Sequence, residues 1–280
     1  MAPHDDWRER QESATVTVEG HELEVAYYDE GDGPDPPVLF VHGIPTWSFL
    51  WRDVAPAFAG DRRVIAPDLA GYGESSMYDG FDRSIRAQEA VLGALLDELG
   101  VDSCVLVGHD IGGGVGVRLA VNDPGRIEAL VLSNATVYDS WPIEFIVDLG
   151  LPSTIRTMSV EECRETLSEA YRDTLHGDPT EAFVEGMCSQ WDTEEAVVSL
   201  GRNAIATNTN HTTEIAYGEI EAETLLLWGT EDDEQPIEDA ERLAEDLPNA
   251  TLAPVENAGH WVPEDRSTEY RERLAAFLDS

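Results

Sequence analysis

A run of ten residues, Val105-Leu106-Val107-Gly108-His109-Asp110-Ile111-Gly112-Gly113-Gly114, most narrows what this chain can fold into. Its apolar start reads as a strand buried on both faces of a sheet, and its glycine-rich end as the start of a helix. The turn between them brings strand and helix backbones together, so small residues are needed at Gly108 and Gly112. Further apolar or β-branched runs supply other strands at residues 15–18, 22–27, 37–41, 63–66, 104–107, 129–132 and 224–228. Helical spacing lies between and after them. Residues 84–99 place Ile85, Val91, Leu92, Leu95, Leu96 and Leu99 at that spacing, behind a Ser84 cap and before Gly100. Residues 265–278 carry Tyr270, Leu274, Phe277 and Leu278 on one side. The alternation predicts an α/β fold with a mostly parallel, doubly wound sheet.

From residue 137 to 217 the strand signal vanishes, and the segment turns helical and rich in Trp, Tyr and Met. About eighty residues is long for a plain crossover between parallel strands. The expected organisation is a core of residues 1–136 and 218–280 with a helical cap inserted over 137–217; ordinary crossover helices in a larger sheet are the alternative.

Gly108-His109-Asp110-Ile111-Gly112 has the G-x-S-x-G layout of a nucleophile elbow, with Asp110 where serine would stand. A phosphate loop is the rival, but no G-K-[ST] follows and Val117 stands where the last glycine of G-x-G-x-x-G belongs. Alone, Asp110 serves equally well as a helix cap. Two later segments tip the balance: the strand over 224–228 runs into Gly229-Thr230-Glu231-Asp232, and a loop carries His260. Nucleophile, acid and histidine then fall at element ends, with Asp233 the nearest rival for the acid. The strand over 37–41 runs into His42-Gly43-Ile44, a turn able to aim N–H groups at developing negative charge. Ile44 and Ile111 would be the donor pair, with His42 buttressing the turn.

Four motifs together resemble the haloalkane dehalogenase and epoxide hydrolase group of α/β-hydrolases. They are His42-Gly43-Ile44-Pro45-Thr46-Trp47-Ser48-Phe49-Leu50-Trp51-Arg52, Pro67-Asp68-Leu69-Ala70-Gly71-Tyr72-Gly73-Glu74-Ser75, Gly108-His109-Asp110-Ile111-Gly112-Gly113 and Gly259-His260-Trp261. The resemblance covers the core well and the 137–217 segment poorly, and the first motif is closer to dehalogenases. It implies an α/β-hydrolase fold with Asp110 as nucleophile, His260 as base and Asp232 as its partner. An aspartate is ionised at neutral pH and attacks a saturated carbon without help, forming an alkyl ester that activated water then hydrolyses. Ordinary esters fit worse, because carboxylate attack on a carbonyl gives an anhydride.

The chain departs from the pattern where dehalogenases usually carry Trp after the nucleophile and Asn or Glu in the first motif. Ile111 and Ile44 stand there and offer only backbone N–H. Trp141 or Trp191 would then meet a halide, and a pair from Tyr138, Tyr171 and Tyr217 would meet an epoxide oxygen; each is equally well explained as packing. The expected substrate is a small apolar electrophile, with water as co-substrate and no cofactor or metal. Dehalogenation leads, and epoxide hydrolysis is the alternative. A ligand-binding or sensor protein on the same scaffold is a third reading, separated by a turnover assay.

With 57 Asp+Glu against 17 Lys+Arg the net charge is −40, and the basic residues are all arginine. Such a surface repels phosphate backbones and anionic headgroups, so neither nucleic acid nor membrane is an expected partner. The acids are spread along the chain, as in proteins of extreme halophiles, where strong salt screens their repulsion. The charged start of the chain holds no signal peptide or anchor pattern, and Cys104, Cys163 and Cys188 suggest neither a disulfide scaffold nor a zinc site. A cytoplasmic location is the expectation.

Overall fold

In a computed structural model, which describes residues 2–177, 180–207 and 210–279, eight strands form one sheet. They are β1 (Gln11–Val18), β2 (His21–Glu30), β3 (Asp35–Val41), β4 (Arg62–Pro67), β5 (Cys104–Asp110), β6 (Ile127–Ala135), β7 (Glu223–Gly229) and β8 (Ala250–Val255). Their spatial order is β1-β2-β4-β3-β5-β6-β7-β8. β1, β2 and β4 pair antiparallel, and all remaining pairs are parallel. The central strands are buried along their apolar runs: β5 at every position, β3 and β6 from their fourth residue to the carboxyl end, and β7 from its second. Because β3, β5, β6 and β7 run parallel, their carboxyl ends open on one edge of the sheet, where open α/β sheets build their sites.

Three elements differ from the sequence reading. β8 has no counterpart in the sequence reading, which names only the loop carrying His260; it is an edge strand, half-exposed or exposed from Ala250 to Pro254, and so lacks the buried apolar run that marks the inner strands. The helix expected over 265–278 is two, Val262–Asp265 and Ser267–Leu278, interrupted at Arg266. An unforeseen helix, Pro3–Glu9, is held by Trp7, which is buried, stacks on Tyr28 with ring centroids 4.5 Å apart and donates to Ser48 Oγ at 3.0 Å. The helix Ile85–Glu98 begins as expected, with Ser84 Oγ accepting the Ala87 N–H.

Between β6 and β7 the described residues contain helices and no strand. Buried polar contacts tie these helices to the loops at the strand ends. Arg83 donates to Ser199 Oγ at 2.6 Å, Trp47 Nε1 donates to the Gly186 carbonyl at 2.9 Å, and the Gly73 N–H donates to Gln190 Oε1 at 2.9 Å. No helix of the described residues is long and apolar enough to cross a membrane.

Candidate active site

Asp110 closes β5 and starts the helix Ile111–Asn122 with φ 52° and ψ −125°, a conformation that L residues seldom adopt. The surrounding glycines make that turn possible. A Cβ on Gly108 would lie 2.6 Å from the Gly112 carbonyl oxygen, and one on Gly112 would lie 2.3 Å from that of Val41. Gly43 has no room either, since its Cβ would meet Asp110 Oδ1 at 2.2 Å. The aspartate is therefore pressed against the His42-Gly43-Ile44 turn. There Oδ1 accepts the Ile44 N–H at 2.7 Å, and the adjoining Ile111 N–H favours the charged carboxylate. On the other side the Thr136 hydroxyl donates to Oδ2 at 3.1 Å. As a cap Asp110 would bond the helix's own N–H groups through its side chain; no such cap bond to the second or third turn residue is made.

His42 braces the turn. Its partners fix its tautomer, because Nδ1 must donate to the Gly43 carbonyl at 2.9 Å while Nε2 accepts the Leu69 N–H at 2.9 Å. Burial lowers its pKa to about 4, so it stays neutral. Asp68 performs a similar bracing task, accepting the N–H groups of Ser48 and Glu74 at 2.9 Å each.

His260 Nδ1 lies 2.9 Å from Asp232 Oδ2, and both side chains are buried. Asp233, the rival for this place, is exposed. Two groups missed by the sequence reading complete the arrangement: Asn134 and Thr136, at and just after the end of β6. Asn134 Nδ2 donates to Asp232 Oδ2 at 2.6 Å, and its Oδ1 accepts the Gly229 N–H at 2.9 Å, so one amide clamps the β6 and β7 ends and the acid together. A polar amide ending the apolar run of β6 was the available signal.

Burial pushes the Asp110 carboxyl up to about 6, against the pull of the His260 charge and the two backbone N–H groups. Burial would lower His260 too, but ionised Asp232, with Asp110 and Glu234, holds it up at about 9. Asp232 lies below its usual range, because the His260 charge and hydrogen bond outweigh its burial. At neutral pH the resting site therefore pairs a carboxylate at Asp110 with an imidazolium at His260.

A cavity of about 20 Å³, room for one water, lies beside His260 and is lined by Ile44, Trp141, Phe145, Tyr171, Glu234 and Trp261 among others. A far larger concavity, about 1030 Å³, lies on the outer face of the helices, with Glu161 and Arg172 on its walls, and touches none of the groups above. Of the proposed leaving-group residues, Trp141 and Tyr171 reach the small cavity, but the Tyr171 hydroxyl donates to the Pro45 carbonyl at 3.0 Å. Trp191 is buried edge-on to Tyr72, ring centroids 6.2 Å apart. Tyr138 and Tyr217 do not line the cavity. The Tyr138 hydroxyl donates to Asp246 at 2.7 Å, and the Tyr217 hydroxyl donates to the Thr212 carbonyl at 3.1 Å.

Residues 38–274 match the sequence model of the "Alpha/beta hydrolase family". "Haloalkane dehalogenase 2" of Mycobacterium tuberculosis is 29% identical over 268 residues, covering 91% of this chain and 90% of that protein. A "2-hydroxy-6-oxononadienedioate/2-hydroxy-6-oxononatrienedioate hydrolase" of Cupriavidus pinatubonensis is 27% identical, covering 95% of each. Among solved structures, an alpha/beta hydrolase fold protein from Burkholderia ambifaria superposes with a TM-score of 0.84 at 26% identity, covering 95% of this chain and 97% of that one.

Proposed function

The chain belongs to the alpha/beta hydrolase family, and from that premise we propose that it hydrolyses carbon–halogen bonds through a covalent ester on Asp110. It is an enzyme with a hydrolase fold. The observation that carries the finer reading is Asp110 at the elbow, with one carboxylate oxygen already under the Ile44 N–H at 2.7 Å. Serine at this place would favour acyl transfer; a carboxylate favours displacement at saturated carbon.

In this reading Asp110 Oδ2 attacks the carbon, and the halide leaves with the bonding electron pair. Alkylation removes the Asp110 charge, so His260 loses one of the carboxylates that hold its proton and releases that proton to solvent, balancing the departing halide. Neutral His260 then takes a proton from water, and the hydroxide adds to the Asp110 carbonyl carbon. The resulting oxyanion on Oδ1 is held by the Ile44 and Ile111 N–H groups, positioned before the reaction begins. Collapse expels the alkoxide, which takes the proton back from His260 and leaves as the alcohol; the Asp110 carboxyl, left holding the second proton of the water, passes it to His260 and restores the resting pair. Asp232, fixed by Asn134, orients the imidazole and stabilises its charge throughout. The residues 137–217 act as a cap over this pocket.

The relative named a haloalkane dehalogenase favours this reading over epoxide opening. Epoxide hydrolysis is the second reading, favoured by one contact: Tyr171 borders the cavity with a hydroxyl that could turn from Pro45 to an epoxide oxygen. A panel of haloalkanes and epoxides, followed by halide and diol release, separates the two. The expected outcome is halide release without diol. Alkylation should speed up as pH rises through about 6, because the attacking Asp110 must be ionised. Diol formation without halide would overturn dehalogenation.

A further inference from the structure

The acidic run Glu231-Asp232-Asp233-Glu234 has one member in the proposed triad and one with no assigned task that reaches the pocket. Glu231 and Asp233 are exposed. Glu234 is turned back toward the site by its own N–H, which donates to Asp232 Oδ1 at 2.8 Å. Its side chain lines the small cavity with His260, Ile44, Trp141, Tyr171 and Trp261. Among the described residues its carboxylate has neither a hydrogen bond nor an ion pair, and no arginine lines that cavity. Glu234 is half-buried, so its carboxylate sets a charge at the border of a mainly apolar and aromatic cavity, and unlike Asp232 it makes no hydrogen bond that gives it a structural task.

We propose that Glu234 determines the charge selectivity of this pocket, disfavouring substrates that carry a carboxylate and favouring neutral or cationic ones. The inference rests on the cavity being the substrate site of the Asp110 hydrolase. Of the charged groups Glu234 and His260 line the cavity, and Asp110 at the end of β5 and Asp232 in the same loop as Glu234 lie outside its lining but act on the His260 charge; His109, whose ring lies 4.7 Å from that of His260, is neutral through burial. With His260 protonated, the three carboxylates leave the pocket with an excess of two negative charges; without Glu234 the excess is one. A substrate carboxylate would approach this excess in a poorly solvated space, where repulsion of a like charge is expected to cost about tenfold or more in reactivity. Burial raises the Glu234 carboxyl above its usual range, so discrimination should grow as pH rises and Glu234 ionises.

The test compares 1-bromobutane with 4-bromobutanoate, by kcat/KM for halide release, in the wild type and in Glu234→Gln. The neutral-to-anionic ratio should fall about tenfold in the variant, and the wild-type ratio should rise with pH while the variant's stays flat. An equal, pH-independent ratio in both proteins overturns the proposal. Glu234→Ser serves as the second variant if Glu234→Gln does not fold. If the wild type turns over neither bromide, dehalogenation fails as a reading, and Glu234 is decided by binding of 1-butanol and 4-hydroxybutanoate, followed through the His260 ring signals in NMR spectra. Preference for the alcohol that is lost in Glu234→Gln supports the proposal; equal binding of both by the wild type overturns it.

Discussion

The two walls of the pocket hold their polar groups in opposite ways. On the wall built from strand ends, each polar group bonds one from a different strand end: Ile44 with Asp110, Thr136 with Asp110, Asn134 with Asp232 and Asp232 with His260. On the helical side the hydroxyls bond within the scaffold, Tyr171 at the pocket to Pro45 and, away from it, Tyr138 to Asp246 and Tyr217 to Thr212, and the pocket meets mainly ring faces and aliphatic carbon there. In the mechanism proposed above, the sheet makes and breaks bonds while the helices supply shape and exclude water. A wall that carries chemistry must be rigid and pre-oriented, whereas a wall that selects by shape needs only to be packed.

Mutations on the two walls should therefore differ in kind. Asp110→Asn should cost the most, about 10⁴-fold or more in halide release, as loss of a nucleophile does. It is measured on fresh protein whose mass shows that the new amide has not converted to the acid. Asn134→Ala should cost about ten- to a hundredfold in kcat, the scale of losing a hydrogen bond to a buried charge. It should also move the pH midpoint of the hydrolytic step, because the amide helps hold Asp232 ionised. Tyr171→Phe, on the helical wall, should leave kcat for halide release within about twofold and cost about 1 kcal/mol of stability through the lost bond to the Pro45 carbonyl, read by chemical denaturation. A large kcat loss there would break the contrast between the walls.

How much could be read in advance follows the same division. The buried strands announced themselves because burial on both faces demands uninterrupted apolar runs, and the elbow glycines because nothing larger fits. β8 could not be read that way, since an edge strand paired on one side needs no such run. Asp232 and Asp233 were indistinguishable as neighbours in an acidic run; only the loop geometry turns one toward His260 and the other to water. Asn134 carried one local mark, an amide ending the apolar run of β6, but that it joins two strand ends 95 positions apart is encoded in no local pattern. For the tyrosines the limit is the converse one: residue type marks a possible donor, but only tertiary contacts say whether its hydroxyl is already taken.

The covalent ester on Asp110 is the claim on which the rest depends, and intact-mass measurement of His260→Gln treated with 1-bromobutane tests it most directly. Without a base to activate water, the ester should persist, adding one butyl group to the protein, with the label on the peptide containing Asp110. A variant that stays unmodified while the wild type releases bromide at its normal rate would contradict the account.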